Sequence, residues 1–435
     1  AGHVALSIFL VAALFWMFEP VPIYATSLLV ILLQVLFLSK QGLLSFDVSS
    51  GYVPNNYTDF IGTLSNPIII LFLGGFVLAD VAIKYDLDKN LTRILLRPFG
   101  NKPKYIILGL MTVTAILSAF MSNTATTAMM MTVILPIIAK TKIEDPIRIG
   151  LALSIPFAAN IGGVATPIGT PPNAVVIGAL SNQGINIAFS EWMVLAIPLV
   201  IILLLITWVL LMKMFKPQTS IIELELKGAF QQNKDAWLAY SVFGITVLLW
   251  ITESIHGIGS SVIALIPVAV FSLIGVLDKD GIRSLPWEVL WLVAGGISMG
   301  ISMQSTGLAE WVINSIDWTI FSSVMLIVAF SLVAIVMSNF LSHTVSATLL
   351  IPLAVSLATS GIAGEGFSLI LTSLVIGISA SMAMMLPIST PPNAIAISTG
   401  LLETKNMAKA GIVVGIVGLI LVTIFALFYW PLMIN

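Results

Sequence analysis

"GTPPNA", Gly169 to Ala174, and "STPPNA", Ser389 to Ala394, place one helix-breaking core twice in the chain, 220 residues apart. A proline pair removes backbone donors and clashes with the preceding turn, so it ends or kinks a helix. What the sequence repeats is a break. Its setting follows from composition. Of 435 residues, 58% are apolar and 9% charged, whereas soluble domains carry roughly a quarter charged residues. The long apolar stretches lack the strict alternation of an outer-membrane barrel, and many approach the roughly 20 residues that a spanning helix needs. The expected fold is therefore an all-α polytopic membrane protein in the lipid bilayer of the cell (inner) membrane. A net charge of −2 argues against a nucleic-acid partner, and the absence of cysteine removes disulfide and thiolate metal chemistry. The opening "AGHVALSIFL" lacks the basic start of a cleavable signal.

Apolar segments fall near 4–18, 23–39, 67–83, 105–120, 122–139, 148–166, 171–182, 190–212, 237–252, 258–278, 287–304, 319–337, 344–359, 366–386, 391–401 and 408–430. The break is one of several paired features. "SNTATT" at Ser122 and "SHTVSA" at Ser342 share the offset of 220, as do Ser118 and Ser338. "LGGF" at Leu73 answers "AGGI" at Ala294, and "WMFE" at Trp16 answers "WITE" at Trp250. One offset holding over several features marks a duplication, and small drifts are what changes in loop length produce. The first repeat is expected over 1–212, a cytoplasmic linker over 213–236, and the second repeat over 237–435.

Basic residues orient the two halves. The first carries Lys84, Lys89, Arg93, Arg97, Lys102 and Lys104 between its glycine pair and its serine motif; the matching stretch Gln304 to Trp318 has no Lys or Arg, only Glu310 and Asp317. Short Lys/Arg-rich loops stay cytoplasmic, so the repeats are expected to be inverted in topology. Segments 105–120 and 122–139 meet at Ser122 to Thr124 with no room for an aqueous loop, and both outer flanks are basic. These residues are expected to form the tip of a re-entrant hairpin. Residues 342–344 are expected to form the tip of its counterpart from outside, whose flank carries only Glu365. Tips and proline breaks (169–174 and 389–394) should then meet near the bilayer midplane. Irregular backbone at that depth is tolerated where it lines a cavity, and duplicated broken segments point to a transporter site.

Taken singly, each motif has a plainer reading. A membrane Ser or Thr commonly bonds its own helix, and a membrane Pro is commonly a kink. The "AMMMT" cluster at Ala128 reads as packing, and Glu19 and Glu253 read as interfacial anchors beside their Trp residues. Duplication is what favours a site. Tips and breaks contain no Lys, Arg, Asp or Glu; they offer hydroxyls, amides, freed N–H groups and unwound carbonyls. Helix N-termini suit carboxylate or sulfate oxygens, and clustered oxygens suit a small hard cation. An anion beside cations is the expected cargo. No nucleophile with a base, acid pair or metal cluster is visible near the breaks, so an enzyme is not expected. A channel could use hairpins as a filter, but inverted duplication favours alternating access.

"SNTATT" and "GTPPNA", paired with "SHT" and "STPPNA" after Trp-x-x-Glu and Gly-Gly segments, resemble the divalent-anion/sodium symporter (DASS) family along nearly the whole chain. The resemblance implies transport of small divalent anions, dicarboxylates such as succinate or else tricarboxylate or sulfate, by a homodimer in which a mobile domain moves as an elevator against a scaffold. It implies substrate contacts from Ser122, Asn123, Thr124, Thr170, Ser342, His343, Thr344 and Thr390, and a Na⁺ site at Ser118, Ser122, Asn123 and Gly169. Family proteins commonly have eleven spans. Because residue 4 falls outside in this topology, a first span from the cytoplasm is expected to be absent from this chain.

The second Na⁺ set, Ser338, Leu341, His343 and Ser389, departs from the family pattern because His343 stands where the family has Asn. Imidazole is a poor Na⁺ ligand beside oxygen donors. An imidazolium would supply about one positive charge in the cation's place, whereas a neutral ring would donate one hydrogen bond; burial and a bound dianion push in opposite directions. Both a symporter with fewer sodium ions and a sodium-independent exchanger stay open.

Overall fold

A computed structural model of the chain describes residues 1–44, 46, 52–222, 230–315, 317–360 and 368–434. Glu365 and the middle of the 213–236 linker lie outside the described residues. Among those described there is no strand, only one isolated bridge between Ser39 and Asn55.

The two halves fold through the same order of elements. Each starts with two apolar helices: Gly2–Phe18 and Ile23–Leu38 in the first half, then Lys234–Ile251 and the pair Ser260–Ile263 and Leu265–Leu273 in the second. A third helix follows (Pro67–Lys84; Trp287–Ser305) and leads into a short one (Leu87–Leu96; Leu308–Asn314), which in the second half turns away by 68°. Next come a hairpin (Pro103–Phe120 with Asn123–Ala139; Ser323–Phe340 with His343–Thr359) and two half-helices (Ile147–Gly163 with Pro171–Ser181; Leu369–Ala380 with Pro391–Ser398). A long closing helix ends each half: Phe189–Met214, and Thr404–Ile424, which a π turn over Phe425–Tyr429 carries on to Trp430–Ile434. Among the described residues, six helices are long and apolar enough to cross a membrane.

The expected segments match these helices to within about five residues, but no segment was expected over the short helix Leu308–Asn314, and two further differences stand out. The segment expected over 366–386 ends its helix at Ala380, because the break starts well before the prolines. The basic stretch 84–104, expected as a loop, contains the helix Leu87–Leu96, which buries Leu87, Asn90 and Leu96 and turns Lys89 outward. It is too short and too polar to register as an apolar segment.

The glycine pairs are packing sites. A Cβ on Gly74 would fall 2.7 Å from that of Ala264, and one on Gly295 would fall 2.9 Å from Ser27 Cα. Each third helix therefore seats its backbone against the second helix of the opposite repeat, the close approach that small residues allow in membranes. Gln34 adds a buried polar tie there, donating to Ser302 Oγ at 2.9 Å and accepting from the Ser298 hydroxyl. The hairpins, half-helices and closing helices pack chiefly on one another. Trp16 and Trp250, which precede Glu19 and Glu253, are buried, their indoles donating to the Ile23 and Ser260 carbonyls at 3.1 and 3.0 Å. Glu253 accepts from two backbone N–H groups, Phe189 at 2.7 Å and Ser260 at 2.9 Å, while Glu19 is exposed.

Candidate functional site: four helix N-termini around one cavity

Each break is built by its own motif. Thr170 and Thr390 are N-caps in extended conformation, and the prolines fill the first two helical positions, where a missing N–H costs nothing. The Asn that follows reaches back across the gap. Asn173 Nδ2 donates to the carbonyls of Gly163 at 3.1 Å and Thr166 at 2.7 Å; Asn393 Nδ2 donates to Leu386 O at 3.0 Å and Ser389 Oγ at 3.1 Å. Carbonyls left over by the first half-helix would otherwise be unpaired at membrane depth. The hexapeptide thus carries both the break and its repair.

The hairpin tips supply two more N-caps, Ser122 and Ser342. All four N-caps line a single cavity of about 590 Å³, together with Asn123, Thr124, Gly169, His343, Thr344 and Ser389. Every residue expected to touch substrate therefore faces one space. The first-turn N–H groups of the hairpin arms have no intrahelical acceptor, and four helix N-termini give the space a positive potential without a formal charge. The cavity lining contains no Lys or Arg. Its other wall is largely apolar, from Phe72, Phe76, Val289 and Leu292, but it includes two carboxylates, Asp80 and Glu288. These two went unnoticed in the sequence because neither belongs to a repeated motif and neither has an acidic counterpart in the other repeat.

Of the first expected cation set, Ser118, Asn123 and Gly169 meet, while Ser122 lines the cavity next to Asn123. Ser118 lies behind the cavity, its hydroxyl 2.9 Å from the Ala159 carbonyl and bonded to the Asn123 side chain. The Asn123 amide can present either end to this cluster. With its nitrogen turned in, it donates to Gly169 O at 3.0 Å and Ala159 O at 3.3 Å. With its oxygen turned in, Asn123 Oδ1 lies against Ser118 Oγ and the Ala159 and Gly169 carbonyls, a group of oxygens of the kind that suits a hard monovalent cation.

The second set does not come together in this way. His343 Nε2 lies 2.7 Å from the Ala383 carbonyl and donates to it, so an N–H group holds a carbonyl of the second break. Ser338 Oγ is buried without a partner, and Ser389 Oγ donates to Leu386 O at 2.6 Å. No hydrogen bond links Ser338, His343 and Ser389. Leu341 is buried beside the tip. Among the described residues no His, Asp and Glu cluster could hold a metal ion.

Asn160 is a further site residue that the motifs did not reveal. It lines the cavity, is 1% exposed, and its Nδ2 lies 3.2 Å from Thr390 Oγ1 and 3.3 Å from Asn393 Oδ1, joining the first repeat to the second break. Its counterpart at the offset of 220 is Ala380, so no repeat signal marks it.

A family model described as citrate transporter, CitMHS, matches residues 13–377. An uncharacterised transporter of Haemophilus influenzae is 31% identical over 442 residues, covering 96% of this chain and 90% of that protein. The sodium-dependent dicarboxylate transporter SdcS of Staphylococcus aureus strain USA300 is 30% identical over 474 residues, covering 100% of this chain and 87% of that one. The crystal structure of the Alcanivorax borkumensis YdaH transporter, described as having an unusual topology, superposes with a TM-score of 0.59 at 14% identity over 99% of both chains, a likeness of fold. The chain therefore belongs to the CitMHS citrate transporter family, in keeping with its divalent-anion/sodium symporter motifs, and is a multi-pass cell-membrane transporter, not an enzyme.

Proposed function

We propose that this transporter carries C4-dicarboxylates such as succinate, coupled to Na⁺ bound at Ser118, Ser122, Asn123 and Gly169. The observation that carries this reading is the composition of the cavity: four helix N-termini, no Lys or Arg, and two carboxylates. A dianion fits the dipoles of the tips and breaks, but its charge exceeds what they offset, and Asp80 and Glu288 repel it. A cation bound alongside supplies the missing charge. Asn123 gives a route for coupling. Na⁺ in the oxygen cluster turns the amide oxygen toward itself and leaves the amide N–H₂ facing the cavity, where it donates to Ser122-side carboxylate oxygens of the substrate; without Na⁺ the N–H₂ is spent on the carbonyls. Sodium-dependent dicarboxylate transport in the name of the staphylococcal relatives supports the same cargo.

The resemblance, the basic-loop asymmetry and the two packing groups support an inverted-repeat elevator. The first three helices of each repeat, interlocked through Gly74 and Gly295, would form the scaffold; the hairpins, half-helices and closing helices would form the mobile unit; the assembly would be a homodimer. Asp80, Ile83, Ser284 and Glu288 line the cavity at the Lys84 end of the scaffold helices, the end that the positive residues make cytoplasmic. The test is competition against labelled succinate by unlabelled dicarboxylates, citrate and sulfate, with and without Na⁺. Dicarboxylates should displace the label, and only in Na⁺; displacement by sulfate with no competition from dicarboxylates would move the reading to a sulfate transporter.

His343 favours a second reading, an exchanger or a symporter using fewer sodium ions, because its Nε2–H occupies the Ala383 carbonyl. His343→Asn should then steepen the Na⁺ dependence of transport. Unchanged steepness would leave His343 as an ordinary hydrogen-bonding residue.

A further inference from the structure

Thr390 is the N-cap of the half-helix Pro391–Ser398, and its Oγ1 accepts two hydrogen bonds: from the Asn393 backbone N–H at 3.3 Å and from Asn160 Nδ2 at 3.2 Å. A threonine hydroxyl has two lone pairs and one proton. With both lone pairs taken from the protein side, the proton must point elsewhere, and among the described residues no protein acceptor receives it. The direction left is the cavity that Thr390 lines. The orientation of Asn160 is itself determined. Asn393 Nδ2 is committed to Leu386 O at 3.0 Å and Ser389 Oγ at 3.1 Å, which turns Asn393 Oδ1 toward Asn160 and requires the Asn160 amide nitrogen to face it, at 3.3 Å. One chain of hydrogen bonds thus runs from the carbonyl of the second break, through Asn393 and Asn160, to the direction of the Thr390 proton.

The first break has no such arrangement. Ala380 stands where Asn160 has its repeat counterpart, Asn173 Oδ1 is buried without a partner, and Thr170 makes no side-chain capping bond. The two threonines are therefore unequal: Thr390 is held as a donor, and Thr170 is not.

We infer that Asn160 is a positioning residue, which fixes the Thr390 hydroxyl as a hydrogen-bond donor to a carboxylate of the bound dianion and makes the second-repeat side of the cavity the more tightly recognising one. The inference rests on the dicarboxylate reading above. It also explains why the residue comes from the opposite repeat: an amide on a half-helix of repeat one can reach the second break across the cavity floor, while the duplicated motif alone leaves its threonine undirected.

The experiment is a double-mutant cycle on succinate affinity, measured calorimetrically at saturating Na⁺ in wild type, Asn160→Ala, Thr390→Val and the double variant. Asn160→Ala should fold, since removing the amide leaves Asn393 Oδ1 in the state that Asn173 Oδ1 already tolerates. Each single variant should weaken succinate about tenfold, the value of one hydrogen bond to a charged group, and the double variant should be no weaker than Thr390→Val. The stabilisation by Na⁺ alone, read as a thermal shift without succinate, should be the same in wild type and Asn160→Ala. A full further tenfold loss on adding Asn160→Ala to Thr390→Val would overturn the inference, because Asn160 would then act independently of the hydroxyl; so would unchanged affinity in Asn160→Ala. Absence of succinate binding in the wild type would instead remove the dicarboxylate reading itself.

Discussion

At the scale of single residues, Asn123 has the most to do. Its amide touches Ser118 and comes within 3.0 and 3.3 Å of the Gly169 and Ala159 carbonyls, yet the residue also lines the cavity. A group serving both ligands must link them, and linkage is reciprocal: Na⁺ raises succinate affinity by the factor by which succinate raises Na⁺ affinity. Asn123→Ala is therefore expected to weaken succinate about tenfold or more and to shrink both factors together toward one, measured by calorimetry over a range of Na⁺ concentrations. A variant that loses succinate affinity but keeps the full Na⁺ factor would assign coupling elsewhere. Residues of this kind were legible in the sequence because Ser122 to Thr124 and Ser342 to Thr344 recur at one offset. Asp80, Glu288 and Asn160 were not. Their importance comes from where tertiary packing puts them, and none has a chemical counterpart in the other repeat.

Among elements, the hairpins and breaks could be read in advance because they rest on local chemistry: apolar runs meeting without a loop, and prolines in the first turn. The Asn that repairs each break could be seen as repeated, but its role became clear only with its reach back to Thr166 and Leu386. The short helices Leu87–Leu96 and Leu308–Asn314 escaped because a one-sided, partly charged helix resembles a loop on any apolar scan. The connection between the halves has a local anchor of its own. Asp145, before the first half-helix, accepts from the Thr219 hydroxyl at 2.6 Å, from the backbone of Thr219 at 2.8 Å and Ile147 at 3.1 Å, and from Gln218 N at 3.1 and 3.2 Å. Desolvation opposes its charge, but the hydrogen bonds outweigh it and hold the carboxyl below the ordinary carboxylate range. A depressed folded value stabilises the anchor above the unfolded value of about 3.9 and is lost as pH falls through the lower folded one. The anchor should thus be intact from neutral pH down to about pH 4. Asp145→Ala should speed hydrogen exchange at the Gln218 and Thr219 amides about tenfold or more at neutral pH, and unchanged exchange would mean that the linker is held by other contacts.

For the whole molecule, duplication and basic asymmetry made the architecture legible, while the interlocking of third helices with the opposite repeat was visible only as an unexplained glycine pair. The proposed elevator has a direct structural consequence. Ser190 Oγ on a closing helix and Ser254 Oγ beyond the scaffold helix Lys234–Ile251 are 2.7 Å apart, and the Phe189 and Trp250 rings stack there at 5.0 Å. If the closing helix travels with the mobile unit, this contact exists in one end state and breaks in the other. A Ser190→Cys, Ser254→Cys pair, in a chain with no cysteine of its own, should cross-link under mild oxidation and stop transport, with reduction restoring it. Full transport by cross-linked protein would place both residues in one rigid body.

In the proposed function a dianion and Na⁺ share this cavity and cross the membrane together. Labelled succinate in proteoliposomes with an inward Na⁺ gradient tests this coupling: transient accumulation above the external concentration is expected, abolished when Na⁺ is equal on both sides and absent in Asn123→Ala. Uptake that only equilibrates, at a rate indifferent to the gradient, would contradict it.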